Sequence, residues 1–225
     1  LHVHTTYSDG RASLREMVDE ALRLGYHYIG ISDHSQSAYY ANGLTPEDIK
    51  RQHEEIDELN QLYNGRIRIL KGIESDIQPD GSLDYPDEIL ASFDFVIASV
   101  HSGFSMDKET MTRRLLKAMD NPHTTILGHP TGRLLLSREG YPLDMEAVLE
   151  GAAKRGVAIE INANPYRLDL DWRWCRRARE LAVLLAICPD AQDSEGLSHV
   201  SYGVNIARKG WLTADDIFTY PFPER

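Results

Sequence analysis

The chain has 225 residues and a mass of 25.5 kDa, enough to bury the core of one domain. Hydrophobic residues make up 42% of the sequence and charged residues 26%, and no apolar run approaches the roughly 20 residues that span a bilayer. The formal net charge of −11 argues against a broad basic face that holds DNA. Bound divalent metal ions would offset part of this negative charge locally.

The cysteines and the start of the chain bear on location and domain organisation. Cys175 and Cys188 lack metal-type spacing, so we expect them to pack in the interior. With no signal-peptide pattern at the start, this favours a cytoplasmic protein. The sequence begins at Leu1 inside an apparent strand, which is typical of a piece of a longer chain that lacks a partner domain. We expect residues 1–225 to form a single domain.

Short apolar runs alternate with amphipathic segments, which is the pattern of β/α units. The predicted strands are Leu1–His4, Tyr28–Ser32, Ile67–Ile73, Phe95–Val100, Thr124–Leu127, Val157–Ile161 and Leu184–Cys188. Seven strands that are each followed by a helix favour a closed barrel of the α/β class. Periodicity alone leaves an open parallel sheet as the alternative.

Capping signals mark the segments between the strands. Each of three predicted helices begins at a capping residue and ends before a glycine: the pairs are Ser13 and Gly25, Thr45 and Gly65, and Asp144 and Gly156. Ser13 also forms a capping box with Glu16, and Pro46 takes a first helical position. Three further helices are predicted at Lys108–Met119, Trp172–Val183 and His199–Lys209.

Nearly every predicted strand ends in a residue type that binds metal ions. These residues are His2 and His4, then Asp33 and His34, Glu74, His101, His129 and, after the last strand, Asp190. Because the C-terminal ends of barrel strands converge on one mouth, we expect these side chains to meet there. One such residue alone is more often a structural hydrogen-bond partner, but the repetition indicates a metal centre.

The ligand types narrow the metal and the reaction. Imidazoles and carboxylates without thiolates suit zinc, manganese or iron. His2 and His4 face the same side of a strand and can bind one ion, and Glu74 is the carboxylate best suited to bridge two ions. Two ions about 3.5–4 Å apart would polarise a phosphoryl oxygen and produce a hydroxide near neutral pH. Phosphate ester hydrolysis fits best, and amide hydrolysis or deamination is the competing use of such ligands.

These residues lie in motifs that carry a family resemblance. The motifs are HVHTTYSDG (His2–Gly10), ISDHS (Ile31–Ser35), GIE (Gly72–Glu74), SVHSGF (Ser99–Phe104), GHPTGR (Gly128–Arg133) and, later, PDAQDSEGL and YGVNIARKGWL. In this order they resemble the motifs of PHP (polymerase and histidinol phosphatase) domains over essentially the whole chain. The sequence looks closest to the C-terminal PHP domain of bacterial X-family DNA polymerases, and free-standing PHP phosphoesterases share the motifs.

The resemblance implies a distorted (β/α)7 TIM-like barrel with three divalent metal ions. The ligands it implies are His2, His4, Glu74 and Asp190 for one ion and Glu74, His101 and His129 for a second. These six residues are also the predicted catalytic set, because they would hold the ions that activate the attacking water.

The third ion that the resemblance implies has an altered ligand set. It would take Asp9, His34 and a histidine two residues after Asp190, but the chain carries Gln192 at that position. A neutral amide oxygen is a weaker ligand than imidazole for zinc or manganese. We therefore expect a third site that is weak, empty or completed by water, and two to three bound ions in all.

The resemblance implies a metal-dependent phosphoesterase, and its closest form favours a 3′–5′ exonuclease that processes DNA 3′ ends. A polymerase domain would then precede this chain in the full-length protein. One alternative is a phosphomonoesterase for a small metabolite such as histidinol phosphate. The other is a non-catalytic structural module that Gln192 has weakened.

A few further residues are assigned roles around the site. Arg133 is predicted to hold a substrate phosphate, with a solvent-exposed arginine as the alternative. Asn162 and Asn164 end the sixth predicted strand, and we expect both to line the mouth and Asn162 to contact substrate. Asp33 either orients a metal ligand or serves as a turn carboxylate. Glu160 falls inside a strand and is expected to be a buried structural partner.

Overall fold

The computed structural model of the chain describes residues 1–218. Its six named strands are all parallel and form one sheet, in which each strand pairs with its neighbours in sequence. The strands are β1 (Tyr28–Ile31), β2 (Arg68–Asp76), β3 (Phe95–Ser99), β4 (Thr124–Leu127), β5 (Ala158–Asn162) and β6 (Leu185–Cys188).

Helices connect these strands. The α-helices are α1 (Leu14–Arg23), α2 (Pro46–Tyr63), α3 (Asp87–Leu90), α4 (Lys108–Met119), α5 (Met145–Arg155), α6 (Trp172–Glu180) and α7 (Val200–Lys209). Short 3₁₀ helices lie at Tyr39–Ala41, Glu195–His199 and Ala214–Asp216. Within residues 1–218, none of the helices is both long enough and apolar enough to cross a membrane.

The predicted capping residues occupy the helix starts. Ser13 accepts a hydrogen bond from the Glu16 amide at 3.3 Å, and the Glu16 carboxylate accepts one from the Ser13 amide at 2.7 Å. Helix α4 has the predicted bounds, whereas α6 ends three residues early. The reason is that Ala182 has a φ of 57°, a left-handed conformation that stops the helix. The one-turn helix α3 was not predicted.

The first predicted strand, Leu1–His4, is wrong as a strand. Only Val3 makes a bridge, a parallel one to Ala191, because His2 has a φ of 59° and interrupts the extended conformation. The Ser32 amide donates to the Val3 carbonyl at 2.8 Å, so the segment still lies between β1 and the residues that follow β6. The N-terminal segment thus closes the sheet, and the α/β barrel prediction is confirmed with six strands instead of seven.

The barrel interior is filled by apolar side chains that alternate along the strands with residues packed against the helices. The inward cluster consists of Leu70, Phe95, Ile97, Ile126, Ala158, Ala186 and Cys188. The Phe95 ring covers Gly30 and Gly72, where an added Cβ would lie 2.6 and 2.1 Å from its Cζ atom. Both cysteines are buried and free, as predicted. This packing restricts the polar cluster to the C-terminal ends of the strands.

Candidate metal centre

The carboxylate of Glu74 lies at the centre of a cluster of imidazoles. Its oxygens are within reach of ring nitrogens from His2 (3.1 Å), His4 (3.7 Å), His34 (3.0 Å), His101 (3.3 Å) and His129 (3.0 Å). Only 1% of Glu74 is exposed to solvent. A buried carboxylate with nitrogen ligands on several sides can bridge two ions, which is the role that the sequence predicted for it.

Strand pairing brings His34 to this carboxylate. The loop after β1 continues to pair with β2, because the Glu74 amide donates to the Asp33 carbonyl and the Ser35 amide donates to the Glu74 carbonyl, each at 3.0 Å. His34 therefore lies directly beside Glu74, with a bridge between the two residues. Its Nδ1 atom contacts Glu74, and its Nε2 atom lies 3.6 Å from Asp9.

The ligands predicted for the first ion converge. His2 and His4 each direct Nε2 toward Asp190 Oδ1, at 3.6 and 3.5 Å. Ligand atoms of His2, His4 and Glu74 lie within 4.8 Å of one another, close enough to share an ion. Three predicted ligands, His2, His129 and Asp190, have positive φ angles, a strained conformation that concentrates at functional sites.

The ligands predicted for the second ion also converge on Glu74. His101 and His129 both approach the Oε1 atom of Glu74. His34, Glu74 and His101 also form a group with ligand atoms within 4.8 Å of one another. His34 therefore belongs to two groups of neighbouring ligand atoms, one with Glu74 and His101 and the other with His4 and Asp9, the site to which the resemblance assigned it.

The predicted third site is also assembled, although its ligand set is weak. His4, Asp9 and His34 place ligand atoms within 4.8 Å of one another. Gln192 lines the same cavity, and its Oε1 atom is buried without a hydrogen-bond partner in the described part of the chain. The amide oxygen is thus a possible but neutral ligand.

Unsatisfied ligand atoms show that these residues fit metal ions. Buried side-chain atoms without a hydrogen-bond partner within residues 1–218 include His2 Nε2, both ring nitrogens of His4, His34 Nδ1, Glu74 Oε2 and His129 Nδ1. The His2 Nε2 atom is 3.1 Å from Glu74 without hydrogen-bond geometry. Leaving buried polar atoms unpaired costs about 1–3 kcal/mol each, and coordination to metal ions would remove that cost.

Two buried carboxylates orient the predicted metal ligands through hydrogen bonds. Glu160 Oε1 lies 2.5 Å from His2 Nδ1, and Oε2 accepts a hydrogen bond from the His129 amide at 2.5 Å. Asp76 Oδ1 lies 2.6 Å from His101 Nδ1. Such partners fix the tautomer of a metal-binding histidine. Glu160 is buried, as predicted, but it also supports the site, and Asp76 was not predicted.

Asp33 holds the loop that carries Asp9. Its carboxylate accepts hydrogen bonds from the Thr5 amide (2.7 Å), the Thr5 hydroxyl (2.7 Å), the Ser8 hydroxyl (2.5 Å) and the Gln52 amide (2.7 Å). These bonds fix the turn that follows His4. Of the two predicted roles for Asp33, the structure supports the turn carboxylate.

The two predicted substrate contacts need correction. Asn162 is fully buried and donates to Asp190 at 2.9 Å, so it orients a predicted metal ligand instead of lining the mouth. The Arg133 guanidinium binds Asp171 at 2.9 Å and the carbonyl of Arg167 at 2.9 Å. These contacts hold Arg133 away from the cavity beside the ligand cluster. Arg167 lines that cavity in the position that was predicted for Arg133.

The metal-ligand cluster opens into a cavity of about 480 Å³. Its walls include Asp9, His34, Tyr40, Glu74, His101, His129, Asn164, Tyr166, Arg167, Asp190 and Gln192. Arg167 Nε lies 3.1 Å from Asp190, whereas Nη1 is buried without a partner in the described residues. A guanidinium with a free N–H group beside the metal ligands can bind a phosphate oxygen.

The buried carboxylate and the imidazoles of this cluster shift the pKa values of one another. Burial disfavours the charged Glu74 carboxylate, but the imidazoles of His2, His101 and His34 outweigh that effect and hold its pKa well below the ordinary value. Burial and the Arg167 guanidinium lower the pKa of His129 to about 4, so this ring is neutral and can bind a metal at physiological pH.

Comparisons with known proteins identify the family of the chain. A family profile for the PHP domain matches residues 1–164. A Bacillus subtilis protein named "DNA polymerase/3′-5′ exonuclease PolX" is 47% identical over 96% of the chain, which spans 38% of that protein's length. A protein of Caldanaerobacter subterraneus named "Probable phosphatase" is 35% identical over 84% of this chain and 74% of its own length.

Solved structures share the fold. The crystal structure of histidinol phosphate phosphatase from Lactococcus lactis, complexed with zinc, L-histidinol and phosphate, superimposes with a TM-score of 0.72. It covers 94% of this chain and 93% of that chain at 18% identity. The profile match over more than half of the sequence, together with the PolX relative, assigns the family. The chain belongs to the PHP domain family of metal-dependent phosphoesterases.

Proposed function

We propose that the chain hydrolyses the terminal phosphodiester of DNA 3′ ends, as a metal-dependent 3′–5′ exonuclease. The name of the Bacillus subtilis relative supports this substrate, since 96% of the chain aligns with that protein at 47% identity. Because the chain covers 38% of that relative, a polymerase domain in the same full-length protein is part of the proposal. A cytoplasmic location remains a prediction.

The observation that carries the proposal is the cluster of five imidazoles around Glu74, with Arg167 in the same cavity. Zinc or manganese ions bound there would polarise a phosphoryl oxygen and lower the pKa of a bound water. Glu160 and Asp76 hold the His2 and His101 rings in the tautomers that present Nε2 to the cluster.

Arg167 supplies the contact to the phosphate. Its Nε atom is held by Asp190 at 3.1 Å, which fixes the plane of the guanidinium. Its Nη1 atom is buried without a hydrogen-bond partner within the described residues, and in this proposal it donates to a non-bridging phosphate oxygen. The arginine neutralises part of the charge on the phosphate and orients the ester toward Glu74 and the histidines around it.

The net charge favours action at an end over action along a duplex. A formal charge of −11 argues against a broad basic surface that binds the DNA backbone over many phosphates. Positive charge would be concentrated at the metal ions and Arg167. Binding would therefore involve the terminal nucleotide and few others.

The direct test incubates the purified chain with 5′-labelled single-stranded DNA and manganese, beside a His101→Ala control. We expect stepwise shortening by the native chain and none by the variant. Shortening that is equal in the two proteins, or absent in both, would overturn the proposal.

A second candidate is a phosphomonoesterase for a small metabolite, which the phosphatase relative with 35% identity favours. A phosphate-release panel of small esters, including histidinol phosphate, separates the two functions. Release from small esters without shortening of DNA would reverse our ordering.

A further inference from the structure

Two tyrosines present exposed aromatic faces at the edge of the metal-ligand cavity. Tyr40 and Tyr166 both line it, although 70% and 69% of these residues are exposed. The Tyr40 ring lies edge-on to His34 and His101, with centroids 6.2 and 6.4 Å away. An aromatic surface thus begins where the metal ligands end.

Both rings project from loops whose backbones are anchored to the fold. Tyr40 lies in a 3₁₀ turn between the fully buried Ala38 and Ala41, which anchor the turn to the core. The Tyr166 amide donates to Asn164 Oδ1 at 3.0 Å, and its carbonyl accepts a hydrogen bond from the Leu135 amide at 2.6 Å. A ligand that stacks on these rings would therefore lose little binding free energy to ordering of the two loops.

The two rings contribute little to the core, so their position calls for a functional reason. Most of each side chain is in water, where an aromatic ring gains no burial energy on folding. Arg167 lines the same cavity, and its buried Nη1 atom has no hydrogen-bond partner within residues 1–218. A phosphate and an adjacent flat, apolar group would satisfy both features at once.

We infer that Tyr40 and Tyr166 form a stacking site for the base of the 3′-terminal nucleotide. This inference rests on the proposed function, because the scissile phosphate would lie between Arg167 and the metal ligands. The cavity of about 480 Å³ lies within the usual range of small-ligand sites, about 300–1,000 Å³, and can enclose a single nucleotide. Stacking is tolerant of sequence, so the site would accept each of the four bases.

The experiment measures binding, so it does not depend on turnover. The zinc-loaded chain is titrated calorimetrically with deoxyadenosine 5′-monophosphate and with 2-deoxyribose 5-phosphate, which lacks the base. We expect the nucleotide to bind about tenfold or more tightly than the sugar phosphate, because a stacked base contributes that much affinity. Tyr40→Ala and Tyr166→Ala should each lose most of this preference, and Tyr40→Phe should keep it.

Tyr39 provides a matched control. It is the neighbour of Tyr40 and is 83% exposed, but it is not among the residues that line the cavity. Tyr39→Ala should therefore keep the preference for the nucleotide. Equal affinity of the native chain for the two ligands would overturn the inference. So would a loss in Tyr39→Ala as large as the loss in Tyr40→Ala.

The inference and the proposed function fail in different ways. A chain that shortens DNA but binds both ligands equally lacks the stacking site and retains the exonuclease activity. A chain that prefers the nucleotide through Tyr40 and Tyr166 but leaves DNA intact has the stacking site. In that case its substrate would be a mononucleotide, and the exonuclease proposal would fail.

Discussion

The imidazole of His2 is held between two buried carboxylates. Its Nδ1 atom lies 2.5 Å from Glu160 and its Nε2 atom 3.1 Å from Glu74. Glu160 therefore favours a proton on Nδ1 and leaves the Nε2 lone pair for a metal ion. The second oxygen of Glu160 accepts a hydrogen bond from the His129 amide, so this one carboxylate orients predicted ligands from two separate segments.

Glu160→Gln should weaken metal binding. The glutamine side chain has one acceptor oxygen, so it cannot accept hydrogen bonds from both the His2 ring and the His129 backbone amide as the two carboxylate oxygens do. We expect a loss of about 10–100-fold in affinity for the first ion. Competition against a chromophoric chelator measures it, and the exposed Glu150→Gln on α5 is the matched control. Equal affinities in native protein and Glu160→Gln would contradict this role.

His2→Ala and Glu74→Ala should each abolish phosphate ester hydrolysis. Either change removes a ligand from the ion that positions the attacking water. Turnover of a chromogenic phosphate ester measures the loss, and circular dichroism checks that the variants fold. The exposed His27→Ala should hydrolyse at the native rate. Native turnover in either ligand variant would refute the assignment.

The native chain should hold fewer than three metal ions tightly, because Gln192 offers only a neutral oxygen to the site with Asp9 and His34. Gln192→His should add about one equivalent by elemental analysis of dialysed protein. Three full equivalents in the native chain would disprove the weak third site. A large gain of activity in the variant would support the alternative of a catalytically weakened module.

Asp169 should make stability depend on pH. Burial raises its pKa to about 6, and although Thr131 donates two hydrogen bonds to Oδ2, the Oδ1 atom is buried without a partner within the described residues. The folded chain thus binds this proton more tightly than the unfolded chain, in which an aspartate has a pKa of about 3.9. The free energy of unfolding should therefore fall as the pH rises from about 4 to about 6.

Asp169→Asn isolates this contribution. Urea unfolding of metal-free native and variant proteins at several pH values should show a difference that changes by an amount on the order of 2 kcal/mol between pH 4 and 7. The native chain should lose stability relative to the variant as pH rises. A constant difference over this range would show that Asp169 titrates alike in the folded and unfolded chains.

Much of the site could be predicted because ligands follow buried strands. His34, His101 and His129 come after apolar runs, and the carboxyl ends of parallel strands meet at one edge. The starts of the capped helices could be predicted equally well, since Ser13 and Asp144 are residue types that favour the N-cap position. These predictions needed only neighbours in sequence.

The supporting residues were missed because their roles depend on long-range contacts. Glu160 was predicted only as structural. Because side chains alternate between the two faces of a strand, Ala158, Glu160 and Asn162 share one face of β5. That alternation would have placed Glu160 in the interior beside the cluster. Arg133 and Arg167 could not be ranked from sequence, because the contact of Arg133 with Asp171 is a tertiary one.

The N-terminal strand failed for a local reason that sequence does not reveal. The segment Leu1–His4 has the composition of a strand, but His2 adopts a left-handed conformation. Its ring thereby reaches both Glu160 and Glu74. The requirements of the site override the strand propensity at this point.

We expect Glu74 to bridge two metal ions bound by the surrounding histidines. Anomalous diffraction from crystals of the chain grown with zinc would show this bridge. We predict one peak bonded to Glu74, His2, His4 and Asp190 and a second bonded to Glu74, His101 and His129. Anomalous difference maps with no peak at Glu74, in crystals with zinc bound elsewhere or not at all, would contradict the bridging role of Glu74.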